Sequence, residues 1–357
     1  MAPRRGSHLV PPALAYAAAG ILPAALLIRG AEVGGWPLWL GLLWMALLVP
    51  LADMLAGLSF DDAEEGQPFP ATETGLTLLA LTHFALLLSA LSAFGSDDLT
   101  LTERVVLFLG AGMWFGQVAN AVAHELIHRS RRSLFRLGAA IYVSLLFGHH
   151  VSAHRLVHHS HVATARDPNS ARLGESFWRF FPRAWLGSFR QGLAAERARA
   201  RLSRRLNPYL IWVGGAGLWT IGVWIGFGPR AMVDYLGLCL YAQMQLLLSD
   251  YVQHYGLRRA RTGERVEPVG PRHSWDPPHA LSSLGMVNAP RHSDHHAHPG
   301  RPYPALRLSP QDMRPLLPYP LPVMGALAMV PPLWRRVMDY RVARMQAEPV
   351  GEDPPRP

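Results

Sequence analysis

Val105-Val106-Leu107-Phe108-Leu109-Gly110-Ala111-Gly112-Met113-Trp114-Phe115-Gly116-Gln117-Val118-Ala119-Asn120-Ala121-Val122-Ala123 carries no charge and runs directly into His124-Glu125-Leu126-Ile127-His128. A spanning helix needs about 20 mostly apolar residues, since each adds about 1.5 Å against a hydrocarbon core about 30 Å thick. The stretch therefore reads as a transmembrane helix with two imidazoles at one end. Their i, i+4 spacing puts both on one face, able to grip one metal. Taken alone, HExxH is also the zinc-protease pattern with glutamate as general base, and two helix-end histidines in water fit equally well.

The same reading extends outward. Leu9 to Ile28 is uncharged between Arg4, Arg5 and Arg29, and its apolar run continues past Ala17-Ala18-Ala19, so it reads as a retained helix rather than a cleaved signal. Val33 to Ala52, Gly75 to Gly95, Pro208 to Phe227 and Met232 to Ser249 are further spans. Leu137 to Val151 is too short, and a crossing there would split the histidine clusters between opposite faces, so it reads as re-entrant or interfacial. The expected fold is an all-α membrane protein with six transmembrane helices and a histidine-rich, cytoplasmic-side metal site. Arg129 to Arg136, Arg190 to Arg205 and Arg258 to Arg265 then share the cytoplasmic face. Residues 1–128 hold four spans and the first histidine box. Residues 129–207 form a cytoplasmic or interfacial segment with the second, and 208–257 the last two spans. Residues 258–345 form a cytoplasmic region with the third box, and 346–357 a Pro-rich disordered tail.

Composition agrees. Only 17% of the 357 residues are charged against 50% hydrophobic, below the roughly 25% charged of soluble domains. A disordered chain, a coiled coil and a disulfide-stapled domain are excluded. The single cysteine, Cys239, excludes a thiolate metal site. Net charge is +9, all of the basic residues being arginine. Anionic lipid or an acidic protein partner suits that excess better than nucleic acid, for which no binding pattern is present.

The 17 histidines are the informative excess. In His154-Arg155-Leu156-Val157-His158-His159-Ser160-His161, a regular helix puts His154 and His158 on one face, with His159 about 100° round and free to reach another metal. In Arg291-His292-Ser293-Asp294-His295-His296-Ala297-His298, the i, i+3, i+4 spacing groups His292, His295 and His296. His254 ends the sixth span. Nine imidazoles exceed one metal's needs, and two metals with four or five each would account for them. Imidazole suits iron, copper, zinc and nickel alike, so ligand type does not choose.

Three boxes in the order HxxxH, HxxxHH, HxxHH, with spans between, resemble the membrane fatty acid desaturase and hydroxylase superfamily. The stretch from Asn288 to Pro299 is similar to the RHSDHHAHP signature of the integral-membrane alkane hydroxylases. Asp167-Pro168, His254-Tyr255-Gly256-Leu257, Pro271-Arg272-His273-Ser274-Trp275 and Pro332-Leu333-Trp334-Arg335-Arg336 resemble that family too.

The resemblance implies a six-helix fold in the bacterial inner membrane. It implies a non-haem site of two iron ions and hydroxylation of an alkane's terminal methyl with O₂. Electrons would come from rubredoxin and its NAD(P)H-dependent reductase. It also implies the ligands His124, His128, His154, His158, His159, His254, His292, His295 and His296, and leaves out His149, His150, His161, His273 and His298. Departures lie around them. Ala153 and Val157 replace a Glu and a Gly of the second box, and Asp250 and Gln253 exchange carboxylate and amide within Asp250-Tyr251-Val252-Gln253-His254-Tyr255-Gly256. These leave an aryl-methyl or terpenoid substrate open beside a medium-chain alkane.

An alkane offers no charge, hydrogen bond or leaving group, so a metal–oxygen cofactor must supply the chemistry. A pocket lined by residues such as Trp36, Trp39, Trp44 and Leu79 is expected to lead to it. Two rivals are an intramembrane zinc protease on His124, Glu125 and His128, which leaves the other histidines unexplained, and a metal transporter. The transporter needs ionisable groups deep in the spans, where only His83 and Asp53 are found.

Overall fold

The computed structural model describes residues 10–203, 205–308 and 315–347. They are helical apart from loops and one small antiparallel hairpin, Arg261–Thr262 against Arg265–Val266. Five helices are long and apolar enough to cross a bilayer: α1 (Ala13–Val33), α2 (Trp36–Ala56), α3 (Thr72–Gly95), α4 (Leu101–Ile127) and, after three shorter or more polar elements, Tyr209–His254.

The helices begin and end where the sequence has local reasons. Gly34 and Gly35 take φ of 65° and 72°, the left-handed region that glycine enters without Cβ strain, and so reverse the chain between α1 and α2. Thr100 caps α4 in a capping box with Glu103. The same Glu103 carboxylate accepts from Gly35 N at 2.8 Å. One side chain thus joins the α1–α2 turn to the start of α4.

Between α4 and the last long helix lie α5 (Arg132–Ser144), α6 (residues 150–161) and α7 (Phe177–Ser203). The segment expected to be re-entrant is not one helix. α5 ends at Ser144, Leu146 has a φ of 56°, and α6 starts afresh at His150. At 13 residues α5 is about 20 Å long, short of a crossing.

The element Tyr209–His254, α8, has 46 residues and is broken at Gly228, with φ 80° and ψ 178°. Its first arm starts beside the second histidine box, where Trp212 Nε1 donates to Ser152 Oγ at 3.0 Å. At the break, Arg230 pairs with Asp97 just past the end of α3. The second arm then returns, Arg104 pairing with Asp234 at 2.6 Å near its start and His254 closing it. The fifth and sixth spans expected from sequence are the two arms of this one element, bounded by Gly228-Pro229.

The C-terminal part wraps the histidine end with α9 (Ala280–Gly285), α10 (His292–Ala297), α11 (Leu321–Ala328) and α12 (Pro331–Ala347). The expected disordered tail needs correction at its start. Residues 346 and 347 are the last turn of α12, and the rest of that tail lies outside the described residues.

Candidate metal centre

All nine histidines singled out in the sequence come together, in two groups. His124, His128, His154, His159 and His295 form one, and His158, His254, His292 and His296 the other. Within each, one ring nitrogen per residue lies within 4.8 Å of all the rest. His149, His150, His161, His273 and His298 belong to neither.

The partition differs from what regular helical spacing predicts. His154 and His158 were expected on one face, yet His154 sits with His159, their Nε2 atoms 2.9 Å apart. The cause is a π-helical turn over His154–His158, in which His159 N donates to His154 O five residues back. The wider turn swings His159 over His154 and sends His158 to the other group. The third box divides likewise. His292 and His296 stay together at i, i+4, with Nε2 atoms 3.0 Å apart, while His295 joins the first group 3.2 Å from His159.

The donor set fits metal ions. His154 Nε2 faces both His128 (3.1 Å) and His159, and His292 Nε2 faces both His254 (3.2 Å) and His296. A neutral imidazole nitrogen either donates once or accepts once, so no arrangement of protons satisfies these runs. Cations at their centres would. His124 Nε2 and His158 Nε2 are buried with no hydrogen-bond partner, as inward-facing lone pairs should be. Burial and the neighbouring rings hold His154, His159, His292, His295 and His296 well below the usual histidine range, which keeps them in the neutral, ligating form.

Partners outside the groups orient the rings. His158 Nδ1 donates to Asp167 at 2.9 Å and His254 Nδ1 to the backbone oxygen of His273 at 3.1 Å. Both choices leave Nε2 as the inward lone pair. Burial opposes protonation of His158, but the Asp167 carboxylate outweighs it and raises the ring's pKa. Burial likewise opposes ionisation of Asp167, yet His158, Ser170 and the Asn169 amide hold it below its usual value. Asp276 is wholly buried and accepts from the backbone nitrogens of His292 and Ser293 at 3.0 Å each, so it caps the helix that carries the third box. Arg291 ties that helix to Asp62 at 2.7 Å, in the loop between α2 and α3.

Sequence reasoning missed Asp276 and Asp62 altogether. Asp276 lies 16 residues from the helix it caps and Asp62 lies 229 from its partner, and no local spacing signals such pairs. Asp167-Pro168 was legible as a motif, though not as a partner for His158.

A cavity of about 410 Å³ abuts the groups and is bordered by His124, His154 and His292. All three π turns among the described residues open onto it. Trp44–Leu48 supplies Met45 and Ala46, Phe115–Ala119 supplies Gly116 and Gln117, and the third supplies His154. The lining expected from sequence is corrected. Trp36 and Trp39 are 69% and 45% exposed on the outer face of α2, and Leu79 is packed in the core against Gly20. Trp44 borders only a smaller void of about 30 Å³. The π turn presents Met45, not a tryptophan, to the cavity.

The groups on which the rival readings depend are otherwise committed. Glu125 pairs with Arg129 and accepts from Tyr303 N at 2.8 Å, and it belongs to neither histidine group. His83 is bound to Ser144 Oγ at 2.8 Å, and Asp53 accepts from Leu281 N and Ser282 N at 2.7 Å each.

These features define a helical membrane protein with a histidine-rich metal site at the end of an internal cavity. The fatty acid desaturase family matches residues 104–327. Alkane 1-monooxygenase 2 of Pseudomonas aeruginosa is 32% identical over 320 residues, 86% of this chain and 84% of its own. Alkane 1-monooxygenase of Pseudomonas putida is 33% identical across 86% of this chain and 79% of its own. The xylene/toluene monooxygenase hydroxylase component of Pseudomonas putida is 27% identical across 85% and 82%. The chain belongs to the fatty acid desaturase family and, within it, to the group of the alkane 1-monooxygenases, and it is an enzyme.

Proposed function

We propose that the protein is a non-haem di-iron monooxygenase that uses O₂ and rubredoxin-supplied electrons to hydroxylate the terminal methyl of a medium-chain alkane. The observation that carries the proposal is the pairing of two all-histidine groups with the cavity that ends at them. The five-histidine group would hold one iron and the four-histidine group the other. Iron bound there supplies the oxygen activation that an unactivated C–H bond requires.

The chain's own residues do the rest. Met45, Met286, Leu321, Val323 and Met329 offer the substrate an adaptable apolar wall. His124, His154 and His292 set where a methyl group meets the metals. Asp167 and the His273 carbonyl hold the Nδ1 protons of His158 and His254, so that in the neutral rings Nε2 is the inward lone pair. The proposal includes six crossings of the inner membrane, with the metals on the cytoplasmic side; it counts both arms of α8 as crossings, and the arginines crowding the histidine end support the orientation. The domain limits read from sequence belong to the same proposal.

A second reading, hydroxylation of an aryl methyl, is favoured by the similarity to the xylene/toluene enzyme component. Reconstituted protein assayed with linear alkanes, xylene and a terpene, alongside iron analysis, tests both. Two irons per chain and a primary alcohol from an alkane are expected. Xylene oxidation with inert alkanes would move the substrate and keep the reaction, whereas one zinc and no oxygenation would end the proposal.

A further inference from the structure

The cavity is not apolar throughout. α4 presents Asn120 one turn before His124 and Gln117 about one turn further on, and α8 presents Gln245 to the same space. Backbone carbonyls fix how these amides are turned. Gln245 Nε2 donates to Gly112 O at 2.8 Å, so its Oε1 accepts from Gln117 Nε2 at 3.2 Å. Asn120 Nδ2 donates to Gly116 O and Ala242 O, both at 3.0 Å. A carbonyl only accepts, so none of the three can be reversed without losing a bond. Among the described residues no donor reaches Gln117 Oε1 or Asn120 Oδ1, and both residues line the cavity together with Met45, Met286 and Met329.

A plain alkane cannot answer two such oxygens, and packing it against them costs hydrogen bonds that are made to nothing. A donor on the ligand would answer them. We infer that the cavity is built for a hydrocarbon that already carries a hydroxyl group, held through O–H donation to Gln117 Oε1 with its distal methyl at the histidine groups. The inference rests on the hydroxylase reading and narrows its substrate class.

The seven steps from Gln117 to His124 span about 10 Å along the helix, room for a chain of medium length. At the methyl, one C–H bond breaks and one oxygen atom of O₂ is inserted to give a C–O–H group. The other oxygen leaves as water after taking two protons, and two electrons arrive from the one-electron carrier. Asn120 Oδ1, one turn from His124, is placed to accept from the new hydroxyl, so a diol would be held at both ends.

The test compares octan-1-ol with octane on the reconstituted holoenzyme, in wild type and Gln117→Leu, which keeps the bulk and removes the acceptor. The wild type should convert octan-1-ol to octane-1,8-diol with a kcat/KM above that for octane. The variant should lower the ratio of the two specificity constants about tenfold, the weight of one lost hydrogen bond. Binding of octan-1-ol to metal-free protein, measured calorimetrically, should weaken by a similar factor, and that readout needs no turnover. If octane is oxidised but the ratio is no greater than one, or is unchanged by the substitution, this inference is overturned and the hydroxylase reading stands. If neither compound is oxidised, the hydroxylase reading fails, and the binding comparison still decides whether Gln117 recognises a hydroxyl.

Discussion

His158 donates from Nδ1 to Asp167 Oδ2 across 2.9 Å, and both side chains are almost wholly buried. The Asp167 carboxylate thereby fixes how one ring of the four-histidine group is turned. Ser170 Oγ, at 2.7 Å, and Asn169 N, at 3.0 Å, steady that carboxylate in turn.

Asp167→Asn should therefore weaken metal binding in the four-histidine group by about 10- to 100-fold, because an amide can also stabilise the wrong ring tautomer. Metal titration of the variant should show one weakened site beside one unaffected. Equal loss at both sites would assign Asp167 a general structural role.

Each of the nine histidines should be needed, and their neighbours should not. His292→Ala should abolish turnover and lower the iron content. His298→Ala should retain most activity, since His298 bonds Asp294 at 2.9 Å with its side chain 55% exposed. Assaying the two variants side by side checks the boundary of the ligand set, and similar losses would redraw it.

The break in α8 should tolerate no side chain. Gly228→Ala places a Cβ at φ 80°, ψ 178°, a region that is essentially glycine's alone, at a cost of about 1–3 kcal/mol. Thermal unfolding in detergent should move down by several degrees, while Gly222→Ala, in a helical stretch with open space around it, should not lower it.

An acidic electron carrier should dock on the arginines of α7 and the loop after it. Arg197, Arg199, Arg201 and Arg205 are on the exposed side, and Arg204 lies outside the described residues. Steered encounters weaken steeply as salt rises, so rubredoxin-dependent turnover at limiting carrier should fall several-fold between low and high ionic strength. Turnover indifferent to salt would leave these arginines to anionic lipid headgroups.

Much of this was legible in one dimension because hydrophobicity and histidine spacing are local signals. The apolar runs located the five membrane-length helices to within a few residues and broke between Phe227 and Met232, where α8 turns, but they gave no sign of the 27-residue, arginine-rich α7. All nine clustered histidines could be named, because the three boxes show helical spacing, His254 ends a span and the family resemblance implied that set. Spacing could not tell which of the two groups each one joins. That assignment depends on the His154–His158 π turn, whose backbone registers one residue more than an α-helix does, and on where α10 sits against α6. Asp62 found its partner only through packing between distant segments, and Asp167 and Asp276 found theirs 9 and 16 residues away across irregular backbone, where no periodic spacing applies. The cavity wall was likewise decided in three dimensions. A π turn at Trp44–Leu48 brings in Met45 in place of the tryptophans, and contacts between α4 and α8 fix which way the Gln117, Asn120 and Gln245 amides are turned.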